Sequence, residues 1–175
     1  MPSRPKAAFF AAAIVVLLAS SIACQAVEEE GLHAGVFAIN IDPVEFPVIV
    51  NGGMYERTAS KVIEPLHARC FVLKSGKQKL AICVVDSCMI PRSVLDQSKV
   101  MASKATGIDA ENILISATHA HSAPSSFGCL GSDADQRYIR HLIPLIAKGI
   151  KMAHDRLQPA QIGWGKGEDR NNVFN

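Results

Sequence analysis

Leu80-Ala81-Ile82-Cys83-Val84-Val85 and Asn112-Ile113-Leu114-Ile115-Ser116-Ala117 are the two short runs whose relation decides the fold. Each reads as a strand. Between them, Ser93 to Thr106 reads as a helix with Gly107 as its stop. Strand, helix and strand in that order predict a β-α-β unit. Two successive parallel strands need such a crossover, and the crossover is right-handed. Upstream, His67 to Leu73 is a further strand, and Lys74 to Lys79 joins it to Leu80 in a manner that suits an antiparallel hairpin. Gly35 to Ile41 reads as the first strand, ended by Asp42-Pro43. Phe46 to Val50 is a short extended run broken by Asn51-Gly52-Gly53.

Downstream, Asp135 to Leu157 places apolar residues at 139, 142, 143, 146, 150, 153 and 157, a helical stripe. Asp133 and Asp135 are read as its cap. Pro144 inside it is expected to kink or split the helix. Ala160 to Trp164 then reads as a strand closing a second β-α-β unit. The expected class is α/β: a mixed sheet with β-α-β crossovers and an irregular N-terminal strand section. A length of 175 residues fits one domain of this kind. An apolar fraction of 49% with 19% charged residues excludes wholesale disorder, collagen and a coiled coil.

Met1 to Lys6 is short and basic, Ala7 to Ala19 is continuously apolar, and Ser20-Ser21-Ile22-Ala23 follow. This order reads as an export signal over residues 1–26, cleaved after Ala23 or Ala26. The apolar run is short for a membrane span of roughly 20 residues, so a retained anchor and a buried helix are the lesser alternatives. Lipidation of Cys24 is a further option, against which Ser21 stands where a lipobox normally has leucine. The expected location is periplasmic or extracellular. Arg4 and Lys6 are two of the 18 basic residues, so the exported part carries 16 basic against 16 acidic residues. A neutral chain gives no reason to expect nucleic acid as partner. Residues 27–175 form the folded part. Gly163 to Asn175 stops without a closing helix, which reads as a fragment or a truncated reading frame.

Cys70, Cys83, Cys88 and Cys129 remain beyond Cys24. They are too sparse for a disulfide scaffold. Cys83 reads as a buried free thiol, and a Cys88–Cys129 bridge is open because each follows a strand end. A site built of thiolates alone is disfavoured, since there is no Cys-x-x-Cys pair.

Ser116-Ala117-Thr118-His119-Ala120-His121-Ser122-Ala123-Pro124 is the sharpest chemical signal. It leaves a strand at its carboxyl end, where open α/β sheets build their sites. Two imidazoles two residues apart face the same way on extended backbone and suit a first-row metal. A pair of polar loop residues, one bonded to backbone, explains the same pattern. Asn51-Gly52-Gly53 permits a sharp turn or a close backbone approach. Arg57 beside it is suited to an oxyanion or a carboxylate, or to a surface ion pair. Asp86 ends the Leu80 strand and either orients an imidazole or caps the turn before Pro91. His67, His141 and His154 read as packing or surface residues. Trp164 lines a cleft or joins the core.

The run from Ser116 to Pro124 resembles the Thr-His-Thr-His-Ser-Gly/Ala-Pro motif of the neutral/alkaline, non-lysosomal ceramidases, and the likeness extends from about Gly35 to the end. The resemblance implies the amino-terminal part of a zinc amidase that cleaves N-acylsphingosine into fatty acid and sphingoid base. It implies that His119 is a zinc ligand and that His121 lies beside the reacting water. Ala120 stands where the motif usually has Thr. The family's remaining ligands, a His, a Glu and a Tyr, would lie beyond Asn175, so this chain is expected to offer at most two ligands, to bind zinc weakly and to hydrolyse no ceramide by itself. The implied partners are a ceramide-like lipid or another small amide, with peripheral membrane contact. A metal-dependent hydrolase of another amide or ester, and an inert exported protein, are the competing readings.

Overall fold

Residues 31–171 are described by a computed structural model. The export segment at residues 1–26, with Cys24, and the last four residues of the tail lie outside them. In chain order the elements are β1 (Leu32–Asn40), β2 (Val48–Val50), β3 (Arg57–Ala59), β4 (His67–Ser75), β5 (Gln78–Val85), α1 (Arg92–Thr106), a single 3-10 turn (Ala110–Asn112), β6 (Ile113–Ala117), α2 (Gln136–His154) and β7 (Gln158–Pro159).

Strand alternation sets the two faces of the sheet. Ile39, Ala68, Cys70, Val72, Ala81, Cys83, Val85, Ile113 and Ile115 are buried on one side. The intervening Val36, Leu80 and Leu114 are exposed on the other. β4 turns into β5 through Gly76-Lys77, with Ser75 opposite Gln78. Gly76 takes the positive φ of 53° that this two-residue turn requires. β5 then pairs parallel with β6 across the α1 crossover, Val85 opposite Ala117. The sheet order is β6-β5-β4-β1-β7, and β2 and β3 form a separate ribbon. This is the expected mixed sheet with an irregular N-terminal strand section.

α2 packs across β1, β4 and β5, and α1 packs against α2. Small residues make that helix pair close: Ser98, Ala102 and Thr106 are buried one turn apart on α1. Their hydroxyls are satisfied within the helix, Ser98 Oγ donating to Val94 O at 3.0 Å and Thr106 Oγ1 to Ala102 O at 2.8 Å. Gly107 ends α1 at φ 68°, its amide donating to Ser103 O.

The structure corrects three expectations. Of the two outcomes expected at Pro144, the split is excluded: α2 runs unbroken from Gln136 to His154. Pro144 lies on the exposed side, so the carbonyl it leaves unbonded faces water, while the stripe of Tyr138, Leu142, Ile146, Ile150 and Ala153 stays buried. The last strand is Gln158–Pro159 rather than Ala160 to Trp164, and it pairs antiparallel with β1 at the far edge of the sheet. A helix of 19 residues is about 28 Å long. It carries the chain across the strands rather than back beside β6, so the second unit is no parallel crossover. Trp164, 90% exposed, lines no cleft and joins no core. The described cysteines are all free, so Cys88 and Cys129 form no bridge, and Cys83 is buried as expected. Cys70 and Cys83 face each other across β4 and β5 with their sulfurs 3.4 Å apart. Among the described residues no helix is long and apolar enough to cross a membrane.

Asp135 caps α2 as expected, accepting from the amides of Arg137 (3.0 Å) and Tyr138 (3.2 Å). It also accepts from Ile49 N at 3.2 Å, which ties the β2 ribbon to the helix. Burial works to raise its pKa, but the amides of Tyr138 and Ile49 and the Arg137 guanidinium outweigh it and hold the carboxyl below its ordinary 3.8. Asp135→Ala should therefore cost about 1–3 kcal/mol in urea unfolding, because buried amides lose their acceptor. In the wild type this contribution should be complete above the unfolded pKa of 3.8 and fade as pH falls through the lower folded value. The variant should show a flatter acid dependence over that window.

Gly35 is fixed by contact. A Cβ there would sit 2.1 Å from Ala153 O and 2.9 Å from Leu157 N, the backbone at the end of α2. Gly35→Ala should lower stability by about 1–3 kcal/mol in the same measurement.

Candidate metal centre at the strand ends

Because β5 and β6 run parallel and in register, their carboxyl ends emerge side by side. The loops that follow are zipped together: Thr118 N donates to Val85 O at 3.0 Å and Ala120 N to Ser87 O at 3.2 Å. This brings Cys88 of the β5 loop against His119 of the β6 loop, 31 residues later. His119 Nδ1 is 3.0 Å from Cys88 O and 3.9 Å from Cys88 Sγ. A proton on Nδ1, donated to that carbonyl, leaves the lone pair on Nε2, the arrangement found in metal-binding imidazoles. His119 holds φ at 63°, a conformation that costs free energy in a non-glycine residue and that recurs at functional sites. The His119 and His121 rings meet edge to face with centroids 4.7 Å apart.

Cys88, His119 and His121 each offer a ligand atom, and these atoms lie within 4.8 Å of one another. Cys88 is buried, whereas both histidines are exposed, so the cluster has a closed floor and an open front. Burial first, then neighbouring Cys129, raises the Cys88 thiol above its ordinary value of 9.0. A divalent cation at the cluster reverses that balance and favours the thiolate. One sulfur and two imidazoles form a donor set that first-row metals accept, with room for an exchangeable ligand. The residues present fit a metal ion. Cys88 is the donor that the sequence did not reveal as one. Only its position two residues beyond Asp86, at the end of the strand beside the His loop, could have signalled it.

The Asn51 loop forms the third wall. β2 runs beside the segment after His121: Asn51 N donates to Ala123 O at 3.2 Å and Ser125 N to Ile49 O at 2.7 Å. Asn51 is fully buried and every polar atom of its amide is used. Nδ2 donates to Ser125 Oγ at 3.1 Å and to Phe127 O. Oδ1 accepts from Gly52 N at 2.6 Å and from Cys129 Sγ at 3.0 Å. Gly52, at φ 89°, lies under the His121 ring, and a Cβ there would be 2.5 Å from His121 Cγ. Close backbone approach is thus the reason for glycine at this position.

Arg57 belongs to the same cluster. Its Nη2 donates to His121 O at 3.1 Å and to Asn51 O at 3.4 Å, clamping the two loops together. Asp86 turns the other way: it accepts from His67 N at 2.9 Å and from Arg69 Nη1 at 2.7 Å, and bonds neither motif histidine. His141 Nε2 lies 3.0 Å from Asp42 O, and His154 Nε2 lies 3.2 Å from Lys79 Nζ, both far along the chain from the loop.

The fold and this cluster define an α/β domain with a Cys/His centre able to hold a metal. No family model matches the chain. Among solved structures it is similar to the neutral ceramidase from Pseudomonas aeruginosa, with 22% identity and a TM-score of 0.66, over 75% of this chain and 22% of that one. It is also similar to a ceramidase complexed with C2, with 23% identity and a TM-score of 0.69, over 82% of this chain and 24% of that one. The chain therefore has the fold of one part of these ceramidases and spans about a quarter of their length.

Two substitutions separate the roles of floor and wall. Cys88→Ser should weaken binding of one divalent ion to this chain at least tenfold, read by competition against a chromophoric chelator. Gly52→Ala should displace the His121 ring, because its Cβ would meet His121 Cγ, while leaving ion affinity within about threefold of wild type, since Cys88 and His119 remain in place. Wild-type affinity in Cys88→Ser would remove sulfur from the centre.

Proposed function

We propose that this chain is part of a zinc-dependent amide hydrolase of the ceramidase type, cleaving N-acylsphingosine to fatty acid and sphingoid base. The observation that carries the reading is the Cys88, His119 and His121 cluster at the carboxyl ends of β5 and β6, in a fold shared with ceramidases. Zinc bound there would lower the pKa of a water and polarise an amide carbonyl. His119 and Cys88 are the residues placed to hold it. His121 stands at the open front and is placed to take a proton at a ring nitrogen from the attacking water. Returning that proton to the amide nitrogen as the carbon–nitrogen bond breaks completes the hydrolysis: oxygen joins the acyl carbon and the amine leaves neutral. Arg57 and Gly52 fix His121 from its backbone and its face, so the imidazole needs no rearrangement to act.

The Ala7 to Ala19 run and its flanks support export, with a membrane or lipid aggregate as the surface from which an apolar substrate is drawn. Hydrolysis of another amide or an ester by the same centre is the alternative, and a panel of defined ceramides, acyl amides and esters separates the two.

In the protein that carries this chain, His119→Ala should abolish activity and most zinc binding. His121→Ala should retain zinc and lower kcat by roughly 10²–10⁴-fold. Zinc content by elemental analysis, ceramidase kinetics and far-ultraviolet circular dichroism check this. Normal zinc in His119→Ala would overturn its role as ligand, and loss of zinc in both would make His121 a ligand as well.

A further inference from the structure

Cys70 and Cys83 lie outside the Cys/His cluster, and the proposed chemistry uses neither of them. They are register partners, Cys70 of β4 opposite Cys83 of β5. The turn decides what kind of pair they make. Ser75 and Gln78 flank a two-residue turn, so they exchange ladder hydrogen bonds, and the two kinds of pair alternate from there. Cys70 lies five register steps from Ser75, an odd number, so Cys70 and Cys83 form a pair without mutual ladder bonds. Such pairs hold their Cα atoms about 4.5 Å apart, inside the roughly 4.4–6.8 Å that a disulfide spans. Both side chains point into the core, and their sulfurs are 3.4 Å apart.

We infer that Cys70 and Cys83 are a disulfide site, joined by exchange with a small or protein disulfide while the chain folds and before α2 covers the sheet. The inference is independent of the amide-hydrolase reading. One cysteine thiolate attacks the oxidant's disulfide, giving a mixed disulfide and releasing one thiolate. The second cysteine thiolate attacks the protein sulfur of that mixed disulfide, forms the Cys70–Cys83 bond and expels the other half of the oxidant. Two cysteine thiols lose two protons and two electrons, and the oxidant takes them up as two thiols. Among the described residues no third metal-ligating group joins this pair, so the sulfurs have each other rather than a metal as partner.

Burial sets the time at which the bond forms. Cys70 and Cys83 are 3% and 0% exposed in the finished fold. α2 lies directly over them: a Cβ at Gly149 would sit 2.8 Å from Cys70 Sγ, so glycine there leaves the room that the sulfur occupies. The Cys70 thiol beside it, and then burial, push the Cys83 thiol well above its ordinary value, which suppresses the thiolate needed for attack. The hairpin that pairs the two cysteines is local, 13 residues from one to the other, whereas α2 arrives from far along the chain. Local pairing forms first, while an oxidant still has access. Export of the chain, on which the Ala7 to Ala19 run bears, would place folding where disulfides persist.

The test is to unfold the complete chain in urea with reductant. It is then refolded either in a mixture of oxidised and reduced glutathione or in reductant alone, and free thiols are capped with iodoacetamide. Cys83 and Cys88 share the tryptic peptide between Lys79 and Arg92, so tandem mass spectrometry must place the link. The oxidised sample should show Cys70 joined to Cys83 and neither of them capped. It should melt roughly 5–10 °C above the reduced one. Cys70→Ala combined with Cys83→Ala should melt at one temperature under both conditions. If that variant does not fold, the peptide map of the wild type decides. Folded, reduced chain given the same glutathione mixture should form the bond at least tenfold more slowly than refolding chain. Capped Cys70 and Cys83 after oxidative refolding would overturn the site, as would a principal link from either to Cys24, Cys88 or Cys129. A redox-dependent melting temperature that persists in the alanine variant would do the same. Equal rates in folded and refolding chain would overturn the order of events.

Discussion

The parallel register of β5 on β6, Val85 opposite Ala117, is the constraint on which the site depends. Two strands that run the same way end at the same edge, and whatever follows each must share one small volume. The loop amides complete the pairing, since Thr118 and Ala120 continue the ladder onto Val85 O and Ser87 O. A cysteine and a histidine 31 residues apart are thereby set side by side. An antiparallel pairing of the same two strands would put their loops at opposite ends of the sheet. The α1 crossover, packed closely on α2 through Ser98, Ala102 and Thr106, is what makes the parallel choice.

A second constraint holds the third wall. The Asn51 amide is out of water, so each of its donors and acceptors must find a partner in the protein. It does so in Gly52, Ser125, Phe127 and Cys129, which spans both sides of the loop cluster. Asp135 performs the same service one layer further in, joining the start of α2 to Ile49. The His loop is therefore held from the sheet below, from the ribbon beside it and from the helix behind it. Only His119 and His121 are left facing solvent within the Cys/His cluster. Rigidity of this kind suits a centre whose donors must be in place before a ligand arrives.

The proposed hydrolysis draws on an economy of placement. The segment from His119 to Pro124 presents imidazole on one side and, through Ser122 and Pro124, a cavity wall on the other. The similarity to ceramidases covers about a quarter of their length, and over that part the fold is the shared property.

Local pattern was enough for the elements themselves. The β4–β5 hairpin, the α1 crossover, the Gly107 stop, the Asp135 cap and the position of the His loop at a strand end all follow from periodicity and capping chemistry, which act over a few residues. The close approach at Gly52 was legible as a possibility of the glycine pair, though not its partner. Tertiary packing decided the rest. Pro144 is tolerated because of the side of α2 on which it falls, and β7 joins β1 because a long helix crosses the sheet. Cys88 joins a Cys/His cluster able to hold a metal rather than forming half of a disulfide, and Arg57 becomes a clamp on His121 rather than a surface ion pair. Each of these depends on which distant segment arrives opposite a residue. A single sequence carries no direct record of such arrivals, because they are fixed only when the whole apolar stripe of α2 is buried on the sheet.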